Sequence, residues 1–227
     1  MTAPDRVGSD PAIFDHAPVL TGDQLADVAT RWPIVNHAEL AVGRIFSMVS
    51  DQVMTPSGDR MSREHIKHPG AVAVIAVDDD DRVVLVRQYR HPVGFRLLEP
   101  PAGLLDVTGE DWLVAAQREL AEEVALAADD WRVLVDYFTS PGTGSEAVRI
   151  FLARDLSPAL RPDGFVLAGE EAEMETCLAS LDDLAVAILA GRLGNPSLCV
   201  GVLAAVVART GGYASLRPAD ASWPARD

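Results

Sequence analysis

Three glutamates share one turn of a predicted helix in the stretch AAQRELAEEVAL, residues 115–126: Glu119, Glu122 and Glu123. Carboxylates three and four residues apart on a helix repel one another unless a positive charge lies between them. The spacing leaves two interpretations open, a solvated face that tolerates the repulsion or a site that binds a cation. Mg²⁺ prefers carboxylate and carbonyl oxygens together with substrate phosphates, and the carboxylates for such a site are present here.

A helix over about 111–126 and the loop before it must position these carboxylates. On a helical wheel the glutamates gather on one side and the apolar residues on another: Leu113, Leu120 and Val124. Glu110 and Arg118 bracket the first two turns, and the tight loop PPAG (100–103) can bring a backbone carbonyl to the acidic side. One face of the helix is therefore expected to pack while the other collects negative charge.

The composition of the whole chain limits the possible fold classes and binding partners. With 227 residues and 48% hydrophobic content, the chain can bury a sizeable core. Its formal net charge of -15 argues against binding to nucleic acid or to an acidic membrane, because no basic stripe offsets the acidic residues. Strands come first, a helix lies between strands, and helices follow. This order predicts a mixed α+β or α/β/α layered domain.

Four regions are expected along the chain: residues 1–20 as a flexible arm, 21–68 as an amino-terminal β subdomain, 69–210 as the main domain, and 211–227 as a disordered tail. The subdomain has little core of its own and must pack on something else. In the main domain two apolar strands flank DDDD, residues 78–81, as a hairpin. These aspartates lack the spacing of an EF-hand loop, which favours a solvated turn over a calcium site.

Cysteine use and apolar runs indicate a cytoplasmic protein. Cys177 and Cys199 lie in apolar surroundings without CxxC spacing and are expected to be reduced core thiols. The five histidines show no HxxxH or HExxH pattern, so a histidine metal site is not expected. Residues 1–15 contain three acids and no apolar segment of a secretory signal. The longest apolar run, residues 198–208, is too short to span a bilayer and is expected to form a buried helix.

Residues 103–126, GLLDVTGEDWLVAAQRELAEEVAL, resemble the Nudix box: Gly, five residues, Glu, seven residues, then Arg-Glu-apolar-x-Glu-Glu-x-Gly-apolar. From Glu110 to Leu126 the match is in register. Six residues separate Gly103 from Glu110 instead of five, and Ala125 replaces the last glycine. If Ala125 had to be left-handed, its Cβ would cost about 1 kcal/mol.

Residues 42–208 are similar to the ADP-ribose pyrophosphatase branch of the Nudix hydrolases, especially its actinobacterial members. The similarity is carried by MSREHIKHPGAVAV, VLVRQYRHPVGFRLLEPPAGLLDV, the box, SPGTGSEAVRIFLARDL and GEEAEMET. Pro141 stands fifteen residues beyond Leu126, where that branch carries a proline, although a turn proline is the simpler alternative. The resemblance implies a Nudix α/β/α sandwich with a mixed sheet, plus a small amino-terminal β subdomain used in dimerisation.

The same resemblance implies Mg²⁺, with Mn²⁺ as a substitute, between the box carboxylates and a substrate pyrophosphate. Its implied protein ligands are Glu119, Glu123, the Ala102 carbonyl, and Glu122 as a shared or water-mediated ligand that also serves catalysis. Arg118 and Glu110 would then pair to fix the loop against the helix. For Ala102 a plain turn residue remains the alternative.

In this branch the catalytic base comes from an acidic loop after the box, which implies Glu170 or Glu171 in AGEEAEMET. A charged loop is more often simply solvated. Glu170 aligns slightly better with the base, and Glu171 would hold a metal-linked water. One family metal ligand falls on Ala172, and this departure weakens the expectation of a third metal.

The implied substrate contacts are Arg63, Arg90, Trp32 and Glu99. Guanidinium groups suit phosphates and the terminal ribose. Trp32 would stack on adenine, or would instead pack the small subdomain. Thr143 stands where relatives often carry an aromatic residue, which leaves the fit around the ribose open.

We therefore expect a homodimeric, Mg²⁺-dependent hydrolase that splits the pyrophosphate of ADP-ribose into AMP and ribose 5-phosphate. Two alternatives remain: the same chemistry on another nucleoside diphosphate sugar or dinucleotide, and a non-catalytic Nudix-fold regulator that binds ADP-ribose. The complete set of box carboxylates counts against the regulator. No nucleic-acid or membrane partner is expected.

Overall fold

The computed structural model describes residues 17–162 and 173–226, and the chain divides into two compact units, Met1–Arg31 and Trp32–Asp227. The described part of the first unit contains one turn of 3-10 helix, Gly22–Gln24. The Thr21 N–H donates a hydrogen bond to the Gln24 side chain of this turn at 3.2 Å. All strands and α-helices of the described residues belong to the second unit.

The second unit begins with a three-stranded antiparallel sheet, called the amino-terminal sheet below. Its strands are β1 (Ile34–Val42), β2 (Ser47–Met54) and β3 (Arg60–Lys67), in that spatial order. Val49 is buried, whereas Ile34, Leu40 and Val42 are exposed. Ile66 joins the sheet to a later loop, because its N–H donates to the Thr143 carbonyl at 2.9 Å. The amino-terminal sheet is thus joined to a later loop at Ile66, and many of its apolar side chains are exposed.

Two further sheets form the centre of the second unit. A five-stranded mixed sheet has the order β11-β8-β9-β4-β7, and a three-stranded antiparallel sheet has the order β10-β5-β6. The strands are β4 (Ala71–Ala76), β5 (Arg82–Arg90), β6 (Phe95–Glu99), β7 (Ala102–Leu104), β8 (Leu126–Phe138), β9 (Ala147–Pro158), β10 (Glu175–Ser180) and β11 (Arg217–Pro218). β4 and β9 run parallel, and the other pairs in these sheets are antiparallel.

Helices cover both faces of the mixed sheet. They are α1 (Trp112–Val124), α2 (Leu181–Leu189) and α3 (Pro196–Arg209). Alternate residues of β4 point to opposite faces, so Val72 and Val74 pack in the layer of α1 while Ala73 and Ile75 pack with α2 and α3. This helix, sheet, helix layering confirms the α+β fold predicted from the sequence. No helix in the described ranges is long and apolar enough to cross a membrane.

The prediction of a disordered tail from residue 211 is wrong for residues 211–226. Strand β11 pairs with β8, and Trp223 is 1% exposed. Two prolines suggested disorder, but Trp223 and the pairing of β11 hold this segment through contacts distant in sequence. The two cysteines form no disulfide.

Candidate active site

Helix α1 carries the three glutamates and begins at a well-defined cap. The Asp111 carboxylate accepts a hydrogen bond from the Leu113 N–H at 2.9 Å, which satisfies one of the free donors of the first turn. On the inner side Leu120 is fully buried. The glutamates lie on the other side, along a cleft, and Glu123 is only 8% exposed. The structure therefore has the packed face and the acidic face that the sequence predicted.

Arg118 supplies the positive charge that the crowded glutamates require. Its Nε and Nη2 donate to the two carboxylate oxygens of Glu110 at 2.9 and 3.0 Å. Its Nη1 donates to Glu119 at 2.6 Å and to Glu122 at 3.0 Å. The hydrogen bond from Arg118 lowers the pKa of Glu110, and the same bond raises the pKa of Arg118. Arg118 thus ties the preceding loop to the helix and neutralises part of its acidic face.

The loop 100–103 approaches α1 so closely that a side chain at residue 103 would displace the Glu119 carboxylate. The Ala102 N–H donates to the Glu123 carboxylate at 3.1 Å. A Cβ placed on Gly103 would lie 2.0 Å from the Glu119 carboxylate. Pairing of β7 with β4 holds this loop in place, with Ala102 opposite Ala73. The extra residue between Gly103 and Glu110 therefore leaves the loop backbone in contact with the acidic face.

Ala125 ends α1 in the left-handed conformation, with φ 56° and ψ 44°. Its N–H donates to the Ala121 carbonyl at 3.1 Å. Sequence reasoning missed Arg161, which donates from Nε to the Glu122 carbonyl at 2.8 Å and from Nη2 to the Glu123 carbonyl at 3.1 Å. A cation at these last carbonyls is favourable, because the carboxyl end of a helix carries partial negative charge.

The acidic face opens on a cleft with a volume of about 580 Å³. Its lining includes the predicted residues Arg90, Glu99, Ala102, Glu119, Glu122 and Glu123. It also includes polar residues that sequence reasoning missed: Gln88, Tyr137, Glu146, Asn195 and Ser197. The hydroxyl groups of Tyr137 and Ser197 lie 2.8 Å apart, and burial raises the pKa of Tyr137. The cleft therefore combines a carboxylate cluster with hydroxyl and amide groups.

Arg90 and Glu99 meet at the cleft as an ion pair. Arg90 Nε donates to both Glu99 oxygens, at 3.0 and 3.2 Å, and Nη2 donates to one of them at 2.6 Å. Glu99 is 3% exposed, whereas the Arg90 side chain is 42% exposed. The pair is well placed to hold the Arg90 guanidinium at the cleft wall.

Trp32 and Arg63 are not among the residues that line this cleft within one chain. Trp32 is 40% exposed. Arg63 donates from Nη1 to the carbonyl of its neighbour Ser62 at 2.9 Å. The Thr143 carbonyl accepts a hydrogen bond from the Ile66 N–H. Glu170, Glu171 and Ala172 lie outside the described residues.

The donor set of the acidic face fits a hard divalent cation by its chemistry. The carboxylates of Glu119, Glu122 and Glu123 and the adjoining loop backbone offer oxygen ligands, as Mg²⁺ prefers. In the described ranges, no three acidic, histidine or cysteine side chains already surround one point. Glu119 and Glu122 instead accept hydrogen bonds from Arg118 Nη1. These two carboxylates would have to leave Nη1, while the paired bonds from Arg118 to Glu110 could remain.

Comparison with known proteins agrees with this arrangement. The chain is 44% identical over 189 residues to the ADP-ribose pyrophosphatase of Mycobacterium tuberculosis, covering 83% of this chain and 89% of that protein. It is 41% identical over 123 residues to the methanol dehydrogenase activator of Bacillus methanolicus, covering 54% and 66% of the two chains. A crystal structure of an ADP compounds hydrolase matches with a TM-score of 0.66 and 25% identity, covering 82% of this chain and 98% of that one. Residues 67–197 match the family model for the NUDIX domain, more than half of the chain, and the protein therefore belongs to the Nudix family.

Proposed function

We propose that this protein hydrolyses the pyrophosphate of ADP-ribose, with Mg²⁺, to AMP and ribose 5-phosphate. The observation that carries the proposal is the set of three carboxylates on α1, packed against the loop 102–103 and open to a cleft. The 44% identity to an ADP-ribose pyrophosphatase, over most of both chains, supports the choice of substrate.

In this proposal Glu119, Glu123 and the Ala102 carbonyl hold the cation, and Glu122 serves as a shared or water-mediated ligand. When bound, Mg²⁺, or Mn²⁺ in its place, neutralises phosphate charge and lowers the pKa of an attacking water. Arg118 has a separate part, because its paired hydrogen bonds to Glu110 fix the orientation of the acidic face.

The general base in the proposal is Glu170 or Glu171, in a segment outside the described residues. On the described side of the cleft, Arg90 presents its half-exposed guanidinium to the substrate phosphates or terminal ribose. Glu99 contributes by holding that guanidinium in place. The Tyr137 and Ser197 hydroxyls face the same cleft and could donate hydrogen bonds to sugar or phosphate oxygens.

We further propose a homodimer in which the amino-terminal sheet completes the site of the partner. Arg63 and Trp32 lie outside the cleft of their own chain, and the amino-terminal sheet exposes apolar side chains. Cytoplasmic location is part of the proposal. Burial raises the pKa of the Cys177 and Cys199 thiols, and both are free, as a reducing compartment allows.

The function is tested by a hydrolysis panel with Mg²⁺ that compares ADP-ribose, GDP-mannose, UDP-glucose, NADH, FAD and 8-oxo-dGTP. ADP-ribose is expected among the best substrates by kcat/KM, with AMP and ribose 5-phosphate as products. A better kcat/KM on another compound would reassign the substrate, and binding of ADP-ribose without turnover would favour the regulator.

The same panel includes Glu123→Gln, with Asp129→Asn as a control, since Asp129 is an exposed acid outside the cleft. Removing a ligand charge is expected to lower kcat by roughly 100-fold, while the control keeps wild-type turnover. Undiminished turnover in folded Glu123→Gln would contradict the metal assignment.

A further inference from the structure

The segment 211–226, called the carboxy-terminal segment, is bound to the mixed sheet at several points. Arg217 and Pro218 of β11 pair with β8. The Arg217 guanidinium also lies 2.9 Å from the Asp136 carboxylate. Ala219 and Ala221 pack against the same apolar layer as helix α1. From Ala219 onward the segment therefore lies on the face of the sheet that carries the acidic helix, whereas Tyr213 and Leu216 pack in the layer of α2 and α3.

A fully buried arginine joins this segment to the sheet. Arg149 on β9 is 0% exposed, and it donates from Nε and Nη2 to both oxygens of Asp136 at 2.8 and 3.0 Å. Its remaining donors reach the carboxy-terminal segment, with Nη1 to the Ala221 carbonyl at 2.7 Å and Nη2 to the Ser222 carbonyl at 2.9 Å. Burial of a charge is costly unless it is paired and hydrogen-bonded, so Arg149 requires these two carbonyls.

Two tryptophan rings enclose the same guanidinium. Arg149 Cζ lies 4.8 Å from the ring centre of Trp223 and 5.1 Å from that of Trp112. The two rings contact each other edge to face, with centroids 5.2 Å apart and planes at 90°. Trp112 is the first residue of α1, two residues after Glu110. Trp223 thus reaches the amino-terminal end of the helix that carries the glutamates.

A second contact brings the segment close to the metal-binding loop. Gly70 has φ +89°, and a Cβ placed there would lie 3.0 Å from Arg226 Nη1. The Gly70 carbonyl accepts a hydrogen bond from the Leu105 N–H at 3.0 Å, directly after β7. The segment therefore adjoins the start of the helix that carries the glutamates and the strand pair that holds Ala102.

We infer that the carboxy-terminal segment positions the metal-binding carboxylates, with Trp223 and Arg149 as positioning residues that act through Trp112. The inference rests on the proposed function for its catalytic readout. A helix moves as a rigid rod, so displacement of Trp112 shifts Glu119 and Glu123 against the loop 102–103. Neither Trp223 nor Arg149 lines the cleft, so their loss does not remove a substrate contact within the chain.

The test compares Trp223→Leu, Trp223→Phe and Asp220→Ala in the full chain. Leucine keeps part of the apolar volume but removes the aromatic face over Arg149, and far-ultraviolet circular dichroism checks that the variant is folded. Phenylalanine restores that face without losing a hydrogen bond, because the Trp223 indole N–H has no partner among the described residues. Asp220 is an exposed residue of the same segment and serves as the control.

For Trp223→Leu we expect kcat on ADP-ribose to fall about tenfold and the Mg²⁺ concentration for half-maximal rate to rise, with KM changed less than about twofold. Trp223→Phe and Asp220→Ala should stay near wild type. Mn²⁺ binding to the protein alone, followed by electron paramagnetic resonance, should weaken in Trp223→Leu whichever nucleotide proves to be the substrate. This readout separates failure of the inference from failure of the proposed function.

A folded Trp223→Leu with wild-type Mn²⁺ affinity and kcat would overturn the inference, as would a variant that loses thermal stability alone. If Trp223→Leu does not fold, Trp223→Met takes its place, because methionine also lacks the aromatic face but fills irregular space. Wild-type Mn²⁺ affinity and kcat in folded Trp223→Met would overturn the inference. A loss of Mn²⁺ affinity in Trp223→Phe would show that the aromatic face over Arg149 is not what positions the site.

Discussion

At the scale of single residues, Ala125 is a strained position that a glycine would relieve. Its φ of 56° places Cβ against the carbonyl oxygen, and glycine adopts this conformation freely. Glycine also gains entropy in the unfolded chain, which offsets part of the benefit. We therefore predict that Ala125→Gly raises the free energy of unfolding by about 0.5–1 kcal/mol, as measured by denaturant titration.

The matched control for this prediction is Ala121→Gly, the same substitution one turn earlier, inside α1. In the helix interior glycine costs about 1 kcal/mol, so the control should be destabilised. Two variants that shift stability in the same direction would contradict the assignment of strain to Ala125.

Residue-scale features could be predicted where their partners are near in sequence. The three glutamates and Arg118 lie in one stretch of helical spacing, so their crowding followed from the sequence, whereas the left-handed conformation of Ala125 was open until the structure gave it. Arg161 and Arg149 could not be found in this way. Each acts on backbone carbonyls about 40 or 70 residues away, and such contacts depend on how the elements pack.

At the scale of elements, the Glu110–Arg118 pair fastens the loop before α1 to its second turn. Arg118 lowers the pKa of Glu110 below its ordinary 4.5, so the folded state favours the ionised carboxylate. The resulting stability is present above that ordinary value and is lost as pH falls through the folded pKa. Glu110→Gln should thus lower stability by about 1–2 kcal/mol at pH 7, and the difference should shrink toward pH 3.

Denaturant titrations of wild type and Glu110→Gln between pH 3 and pH 7 measure this difference, with Asp129→Asn as the exposed control. A constant gap across that range would show that the ionisation of Glu110 is not its source.

Element boundaries show where the sequence was informative and where it was not. Helices α1 and α3 followed from the sequence. Strands β4 and β5 were expected to pair as a hairpin around residues 78–81, but they lie in different sheets and are joined near the turn by a bridge between Val77 and Val83. The start of β8 did not follow from the sequence, because β8 begins at Leu126, directly after the left-handed residue Ala125. The carboxy-terminal segment was missed because its order depends on contacts distant in sequence, from β11 to β8 and from Trp223 to Arg149.

At the scale of the whole molecule, the negative net charge limits where an anionic substrate can bind, and the amino-terminal sheet exposes apolar residues. A chain of net charge -15 can attract an anionic substrate only where a cation or an arginine reverses the local field. Within one chain, Arg90 lies at the cleft whereas Arg63 and Trp32 lie outside it. In the proposed dimer, the exposed apolar residues of the amino-terminal sheet pack against the second copy and bring Arg63 and Trp32 to its cleft.

A shared site predicts complementation between two inactive variants. Arg63→Ala lacks the side chain that the proposed dimer contributes to the partner's cleft, and Glu123→Gln lacks a metal ligand in its own cleft. When the two are mixed and allowed to exchange subunits, one cleft of each mixed dimer has both residues intact. Half of the dimers are mixed and each has one good site of two, so activity should recover to about a quarter of wild type. Light scattering measures the mass of the assembly, and the rate on ADP-ribose measures the recovery. A mixture of Asp129→Asn with Glu123→Gln gives the control rate. No gain for Arg63→Ala after exchange would place Arg63 outside the partner's site.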